Sequence, residues 1–149
     1  MEVEAFLADT VQASGGKINA LGVGWRVLQT ASFPTRHDRV GIAVMVRTAP
    51  SEAGDHRLAL TLLGPDGAVR SFGHDPSGGD RTGLEATFTS PPGEGTATLA
   101  LNLDGLVFER EGEHAFALAV DGQERARLRF RVQTKAEPPA AEFRTGVYL

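Results

Sequence analysis

The chain has 149 residues, no cysteine and a formal net charge of −4 at pH 7. This length fits one domain that holds a core without disulfides or metal, and the absence of cysteine excludes thiolate zinc sites, iron–sulfur clusters and cysteine nucleophiles. The acidic balance makes nucleic acid an unfavourable partner, because general nucleic-acid binders carry a basic footprint. No apolar run approaches the ~20 residues that span a bilayer. The first four residues include two glutamates, whereas a secretory signal begins with basic residues. We therefore expect a cytoplasmic protein with no membrane contact.

Short runs of period-two alternation dominate the chain, and clusters of Gly, Pro, Asp and Ser separate them. The first two runs cover residues 3–11 and 18–28, and the second puts Leu21, Val23, Trp25 and Val27 on one face. The later runs cover residues 40–46, 58–62, 69–72, 84–88, 97–103, 114–120 and 124–132. No stretch shows a helical stripe, so the chain is predicted to be all-β.

Eight or nine strands at this spacing favour a two-sheet antiparallel sandwich. Residues 49–55 and 108–112 form connections of the length that suits Greek-key crossings. A closed barrel is the alternative. We assign residues 1–133 to the sandwich domain and residues 134–149 to an extension.

The last two runs must both turn their apolar side chains to the core. A two-residue loop at Asp121-Gly122 would pair Leu118 with Arg125 and mix the two faces. A three-residue loop or a bulge pairs Leu118 with Ala126 instead, and we predict one of these. The arginines then lie opposite alanines on the outer face: Arg125, Arg127 and Arg129 opposite Ala119, Ala117 and Ala115.

The arginine ladder on this last strand, comprising Arg125, Arg127, Arg129 and Arg131, is the first candidate partner-binding surface. One interpretation is contact with an acidic partner, or with a nucleic acid or another phosphate-bearing ligand. The other is an exposed strand that its charges protect from edge pairing, with the arginine stems lying over small neighbours. The ladder could also pair with acidic side chains of the neighbouring strand or of a second subunit.

Small outward-facing residues are the second surface feature. Gly41 and Ala43 lie on one strand, Ala59 and Thr61 on another, and alanines 115, 117 and 119 on a third. Such a face lets another surface approach closely. A compositional bias toward alanine is the alternative explanation.

The C-terminal extension begins as a Pro/Ala/Glu linker, which is extended in such compositions. It ends in an apolar segment that carries four candidate partner-binding residues, Phe143, Val147, Tyr148 and Leu149. We expect this segment to dock by adding a strand or inserting a terminal carboxylate. It could also fold back on its own domain.

The sequence contains no motif for catalysis, and we expect neither a cofactor nor a metal. The four histidines show no metal-ligand spacing, and the candidate cation loop around His74, Asp75 and Asp80 lacks EF-hand spacing. There is no G-x-S-x-G elbow. An enzyme would need a site assembled in space, recognisable as a deep pocket that holds a histidine and a carboxylate.

Three stretches resemble a family of small, uncharacterised bacterial proteins common in actinobacteria. They are residues 3–9, the Gly16-Lys17 turn with Leu21-Gly22-Val23-Gly24-Trp25, and the closing hairpin from Gly112 to Val132. The closing hairpin also resembles the last hairpin of immunoglobulin-like sandwiches. The resemblance implies an immunoglobulin-like fold and brings no activity and no site residues.

We therefore expect a non-enzymatic module that binds another protein or itself, with a homo-oligomer as the simplest outcome. It would act through an outer sheet face and the C-terminal peptide. The alternative is a small-ligand or carbohydrate-binding sandwich that uses the end loops at residues 49–55 and 74–83. A carbohydrate site favours exposed aromatic residues, whereas Trp25 is predicted to be internal.

Overall fold

The computed structural model describes residues 1–73 and 77–135. These residues form eleven β-strands, one 3₁₀ turn at Pro50–Glu52 and no α-helix. The strands are β1 (Glu2–Ala8), β2 (Thr10–Ser14), β3 (Lys17–Leu21), β4 (Val27–Thr30), β5 (Thr35–Thr48), β6 (Gly54–Leu63), β7 (Val69–Arg70), β8 (Leu84–Ser90), β9 (Gly95–Phe108), β10 (Gly112–Val120) and β11 (Gln123–Thr134). The predicted all-β class is confirmed, and the predicted count of eight or nine strands is wrong.

The additional strands arise near the start of the chain. The run 3–11 breaks at Asp9 into β1 and β2, and the run 18–28 breaks into β3 and β4. At the second break Gly22 and Gly24 have φ of 67° and 87°, a left-handed conformation that glycine adopts without steric cost. Leu21 and Val23 therefore leave the predicted strand face and are 69% and 57% exposed.

The strands form three sheets. One sheet has the order β1-β5-β9, a second is the hairpin β2-β3, and the largest has the order β4-β11-β10-β6-β7 with β8 also paired to β6. β4 runs parallel to β11, so the large sheet is mixed and the predicted purely antiparallel arrangement is wrong. This sheet curls like half of a barrel, which brings β11 beside β1.

The core lies between the inner faces of the two larger sheets. β5 contributes four fully buried side chains, Val40, Ile42, Val44 and Val46. Phe116 and Phe130 face them from β10 and β11 and are 0% and 1% exposed. Trp25 is half-buried with its ring 5.5 Å from that of Phe130, so its predicted internal position is correct in part.

The hairpin β2-β3 covers the outer face of the three-stranded sheet. A Cβ atom at Gly41 would lie 3.1 Å from Thr10 Cα, so this residue must be small for β2 to approach. Asn102 of β9 completes the contact, because its Nδ2 donates to Val11 O at 2.8 Å and its Oδ1 accepts from Val11 N at 3.0 Å. The small residues of β5 thus have a partner within the chain.

Within the described ranges, no helix has the length and hydropathy needed to cross a bilayer. The predicted extension lies outside the described residues from residue 136 onward.

Candidate functional site

The closing hairpin has the register that core burial demands. Leu118 pairs with Ala126, and a bulge follows, so that Ala119 pairs with Glu124. Asp121 and Gly122 form the turn with φ of 52° and 83°, the positive values of a type I′ hairpin. The predicted bulge is confirmed. The predicted pairing of Arg125 with Ala119 is wrong, because the bulge takes Arg125 out of the ladder.

The surface of the large sheet that points away from the core is called the outer face below. It spans four strands and has small residues at its centre. Its side chains are Arg127, Arg129 and Arg131 of β11, Ala115, Ala117 and Ala119 of β10, Ala59, Thr61 and Leu63 of β6, and Glu85 and Thr87 of β8. Arg129 and Leu63 flank Ala115 from the two neighbouring strands, and Ala115 is only 8% exposed. Long side chains therefore cover part of the alanine stripe. Among the described residues, no strand or hairpin packs over this face.

The ladder arginines are paired to different extents. Arg127 Nη2 lies 2.7 Å from Glu124 Oε1 on its own strand, and Arg131 Nη1 lies 3.6 Å from Glu113 Oε1 on β10. Arg129 has no carboxylate within ion-pair distance among residues 1–73 and 77–135. Pairing with the neighbouring strand, one of the predicted alternatives, thus holds for Arg131.

The charges of the outer face divide along the strands. At and beyond the Ala117–Arg127 pair, three arginines (127, 129 and 131) stand against Glu113 and Glu111, a balance of +1. Toward the Asp121 turn, four carboxylates (Asp55, Glu85, Asp121 and Glu124) stand against two arginines (57 and 125), a balance of −2 with His56 neutral and −1 with His56 protonated. The face therefore carries opposite charges at its two ends.

A histidine clasp holds the turn of this hairpin to β6. His56 Nδ1 lies 2.7 Å from Asp121 Oδ2, and its Nε2 lies 2.7 Å from Glu52 O. Arg57 N donates to Asp121 Oδ1 at 2.9 Å. The Asp121 carboxylate, followed by the Glu52 carbonyl, raises the pKa of His56 above its ordinary 6.5. The imidazolium form therefore stabilises the acidic end of the outer face.

A cavity of about 450 Å³ opens at the other end of the domain, here called the end cavity. Leu62 and Phe108 are its buried apolar residues, and Arg70 and Arg110 are its cations. Further lining comes from Pro65, Val69, Ser71, Val107, Glu109 and His114. Because β6 leads from residues 49–55 toward this end, the cavity lies away from that predicted loop site.

His114 is the buried titratable group of the end cavity. Its Nδ1 lies 3.0 Å from Gly112 O, and its ring stacks on Phe130 at 5.6 Å. Burial lowers the pKa of His114, so the imidazole is neutral at pH 7. A pocket with a histidine and a carboxylate is what the enzyme alternative requires. However, Ser71 Oγ donates to Gly73 O at 3.1 Å, and within the described residues neither Ser71 nor Glu109 hydrogen-bonds His114. These three side chains therefore do not form a hydrogen-bonded catalytic set.

Sequence reasoning missed the end cavity. Gly64-Pro65-Asp66-Gly67 is one of the Gly, Pro and Asp clusters that separate the predicted strands, and it forms a turn in which Gly67 N donates to Gly64 O at 2.9 Å. However, Arg110 reaches Asp66 from 44 positions away along the chain. No local pattern connects these two residues.

Several predicted site residues lie outside the described ranges. These are the four tail residues Phe143, Val147, Tyr148 and Leu149, and His74 and Asp75 of the candidate cation loop. Among the residues that are described, no group of three or more His, Asp or Glu side chains could hold a metal ion.

Comparison with known proteins gives a family but no activity. A protein-family model described as a family of unknown function, DUF6941, matches residues 4–133. Resemblance to a family without known function is thereby confirmed, while its actinobacterial range stays a prediction. No curated protein matches the chain.

Proposed function

The chain belongs to DUF6941, a family of unknown function, and we propose that its domain is a non-enzymatic, cytoplasmic association module. Two copies form a homodimer through the outer face, and the apolar C-terminal segment at residues 143–149 reinforces the contact. The opposite charge of the two ends of the outer face carries this proposal, because such a face is complementary to a second copy of itself.

The two sheets make different use of small residues. On β5, Gly41 and Ala43 are buried beneath the hairpin β2-β3. On β10, Ala117 and Ala119 stay partly exposed, with no covering element among the described residues. A second copy would cover the alanines of β10 as the hairpin covers β5.

The strand register supports one particular two-fold axis. The axis would lie parallel to the outer face, at right angles to the strands, and pass over Ala117. A rotation about it would lay Ala115 of one copy over Ala119 of the other. Since Arg129 pairs with Ala115 and Glu124 pairs with Ala119, this rotation brings Arg129 of one copy to Glu124 of the other. The ladder arginine without an ion pair would thereby gain a carboxylate.

The size of the outer face indicates that it would form a weak dimer alone. Four strands about 4.8 Å apart and six residues at about 3.4 Å per residue cover roughly 20 Å by 20 Å. Two such faces bury on the order of 800 Å², below the ~1,000 Å² that specific interfaces exceed. The proposal therefore assigns the remaining contact to the C-terminal segment, as strand addition allows.

The central test places a charge at the proposed axis. Arg127 pairs with Ala117, so the axis also brings Arg127 of both copies together. Ala117→Arg would add two guanidinium groups at this point, so we expect its dimer dissociation constant in analytical ultracentrifugation to rise at least tenfold. The matched control is Ala13→Arg, the same change at an exposed position on β2. If both variants keep the wild-type constant, or if the wild type is a monomer at about 1 mM, the dimer proposal is wrong.

A charge exchange tests the orientation. Arg129→Glu should weaken the dimer, and the double variant Arg129→Glu, Glu124→Arg should restore it, because the two positions meet across the axis. If the double variant is as weak as the single one, the proposed orientation is wrong. Removing residues 136–149 tests the tail separately, since an unchanged dissociation constant would exclude its contribution. Fractionation of the native host tests the cytoplasmic location.

We also propose that the fold is an immunoglobulin-like sandwich. The order of sheet changes supports it, because the chain crosses between the sheets from β5 to β6, from β8 to β9 and from β9 to β10. The sheets β1-β5-β9 and β11-β10-β6 then correspond to the two sheets of that architecture. A solution structure with a different strand order would contradict this assignment.

A further inference from the structure

The end cavity has two apolar side chains that are unusually exposed for a folded chain. Val69 and Val107 are 51% and 52% exposed, and both line the cavity. Below them, Leu62 and Phe108 are almost fully buried. An apolar group held between the two valines would remove this surface from water, which favours binding.

Two guanidinium groups converge beside this apolar surface. Arg70 Nη2 and Arg110 Nη2 lie 2.9 Å and 3.1 Å from the same oxygen, Asp66 Oδ2. Asp66 is itself held in its turn, since its Oδ1 accepts from Ala68 N at 3.1 Å. The carboxylate thus draws both guanidinium groups to one point.

The arginines retain donors for a second acceptor. A guanidinium has five N–H donors, and the contacts with Asp66 involve only the Nη2 group of each arginine. Guanidinium groups recognise carboxylate and phosphate through paired hydrogen bonds. The volume of about 450 Å³ lies within the range of small-molecule sites.

We propose that the end cavity binds a small organic anion, with its apolar body between Val69 and Val107 and its carboxylate or phosphate on Arg70 and Arg110. Glu109 also lines the cavity and disfavours a second anionic group on the ligand. This site lies apart from the proposed dimer axis, so each proposal can fail without the other.

Four probes test the chemistry of the ligand. Hexanoate and hexyl phosphate carry both required parts, hexanol lacks the charge, and inorganic phosphate lacks the apolar body. In amide NMR titrations of the full chain up to about 10 mM, we expect one or both hexyl anions to shift the signals of Val69 and Val107. The hexyl anion that binds more tightly identifies the head group. Hexanol and inorganic phosphate should bind at least tenfold more weakly, and equal binding by either would overturn the proposal, as would the absence of any shift.

Variants test the residues. The double variant Arg70→Gln, Arg110→Gln should weaken hexyl-anion binding at least tenfold, whereas Glu109→Gln should strengthen it several-fold by removing a repelling charge. Arg47→Gln is the control, because Arg47 lies at the end of β5 away from the cavity and pairs with Glu4 at 3.0 Å. Unchanged affinity in both cavity variants would overturn the proposal. The Glu109 result stays informative if the double variant does not fold.

Discussion

Replacement of Gly41 by alanine tests how the hairpin β2-β3 covers the three-stranded sheet. The new methyl group would lie 3.1 Å from Thr10 Cα and 3.2 Å from Ala8 O, and both neighbours are backbone atoms that cannot rotate away. Overpacking of this kind costs about 1–3 kcal/mol. Replacing glycine also stabilises by about 0.4–1 kcal/mol, because it restricts the unfolded chain.

At the midpoints of the two ranges the net loss is about 1.3 kcal/mol in the free energy of unfolding. For a domain of this length each kcal/mol lowers the melting temperature by about 2–4 °C. Urea denaturation monitored by Trp25 fluorescence measures the free energy directly. Amide hydrogen exchange in β2 and β3 should accelerate as well, because the hairpin loses its close contact.

Gly83→Ala is the matched control. A Cβ atom there would meet Leu60 O at 3.5 Å, an ordinary contact. This variant should therefore be neutral or slightly stabilising. If Gly41→Ala is as stable as Gly83→Ala, the close approach of the hairpin is not what requires glycine at position 41.

Three further predictions concern the core, the hairpin and the pH dependence of stability. Phe130→Ala should cost about 3–5 kcal/mol in urea denaturation, because it empties a ring site that is 1% exposed; a loss below about 1 kcal/mol would contradict this packing. Asn102→Leu should cost about 1–3 kcal/mol and accelerate amide exchange at Val11, since both backbone groups lose their partner; wild-type exchange would argue against that contact. His56 has a raised pKa beside Asp121, so its stabilising contribution is full below its ordinary pKa of 6.5 and is lost as the pH rises through its folded pKa. The difference in unfolding free energy between wild type and His56→Gln should shrink over that range, and a difference that grows with pH would refute the assignment.

The fold class and the closing hairpin could be predicted from the sequence because both depend on local alternation. Apolar side chains at every second position of residues 114–120 and 124–132 admit one register, which requires a three-residue loop or a bulge, and the structure has the bulge after Leu118. The face of residues 18–28 was predicted wrongly, since Gly22 and Gly24 turn the chain with positive φ. Alternation alone does not distinguish a strand that contains glycines from a turn.

The sequence by itself determined that the chain stacks sheets, that Phe116 and Phe130 lie inside and that Arg127, Arg129 and Arg131 share an outer face. Only the tertiary structure decided which small-residue surface is covered within the chain and where the end cavity forms. Covering β5 depends on the contact of Gly41 with Thr10, which lies 31 positions earlier in the sequence. The cavity depends on Arg110 reaching Asp66 across 44 positions. Such contacts leave no periodic trace, because each arises where two distant segments meet.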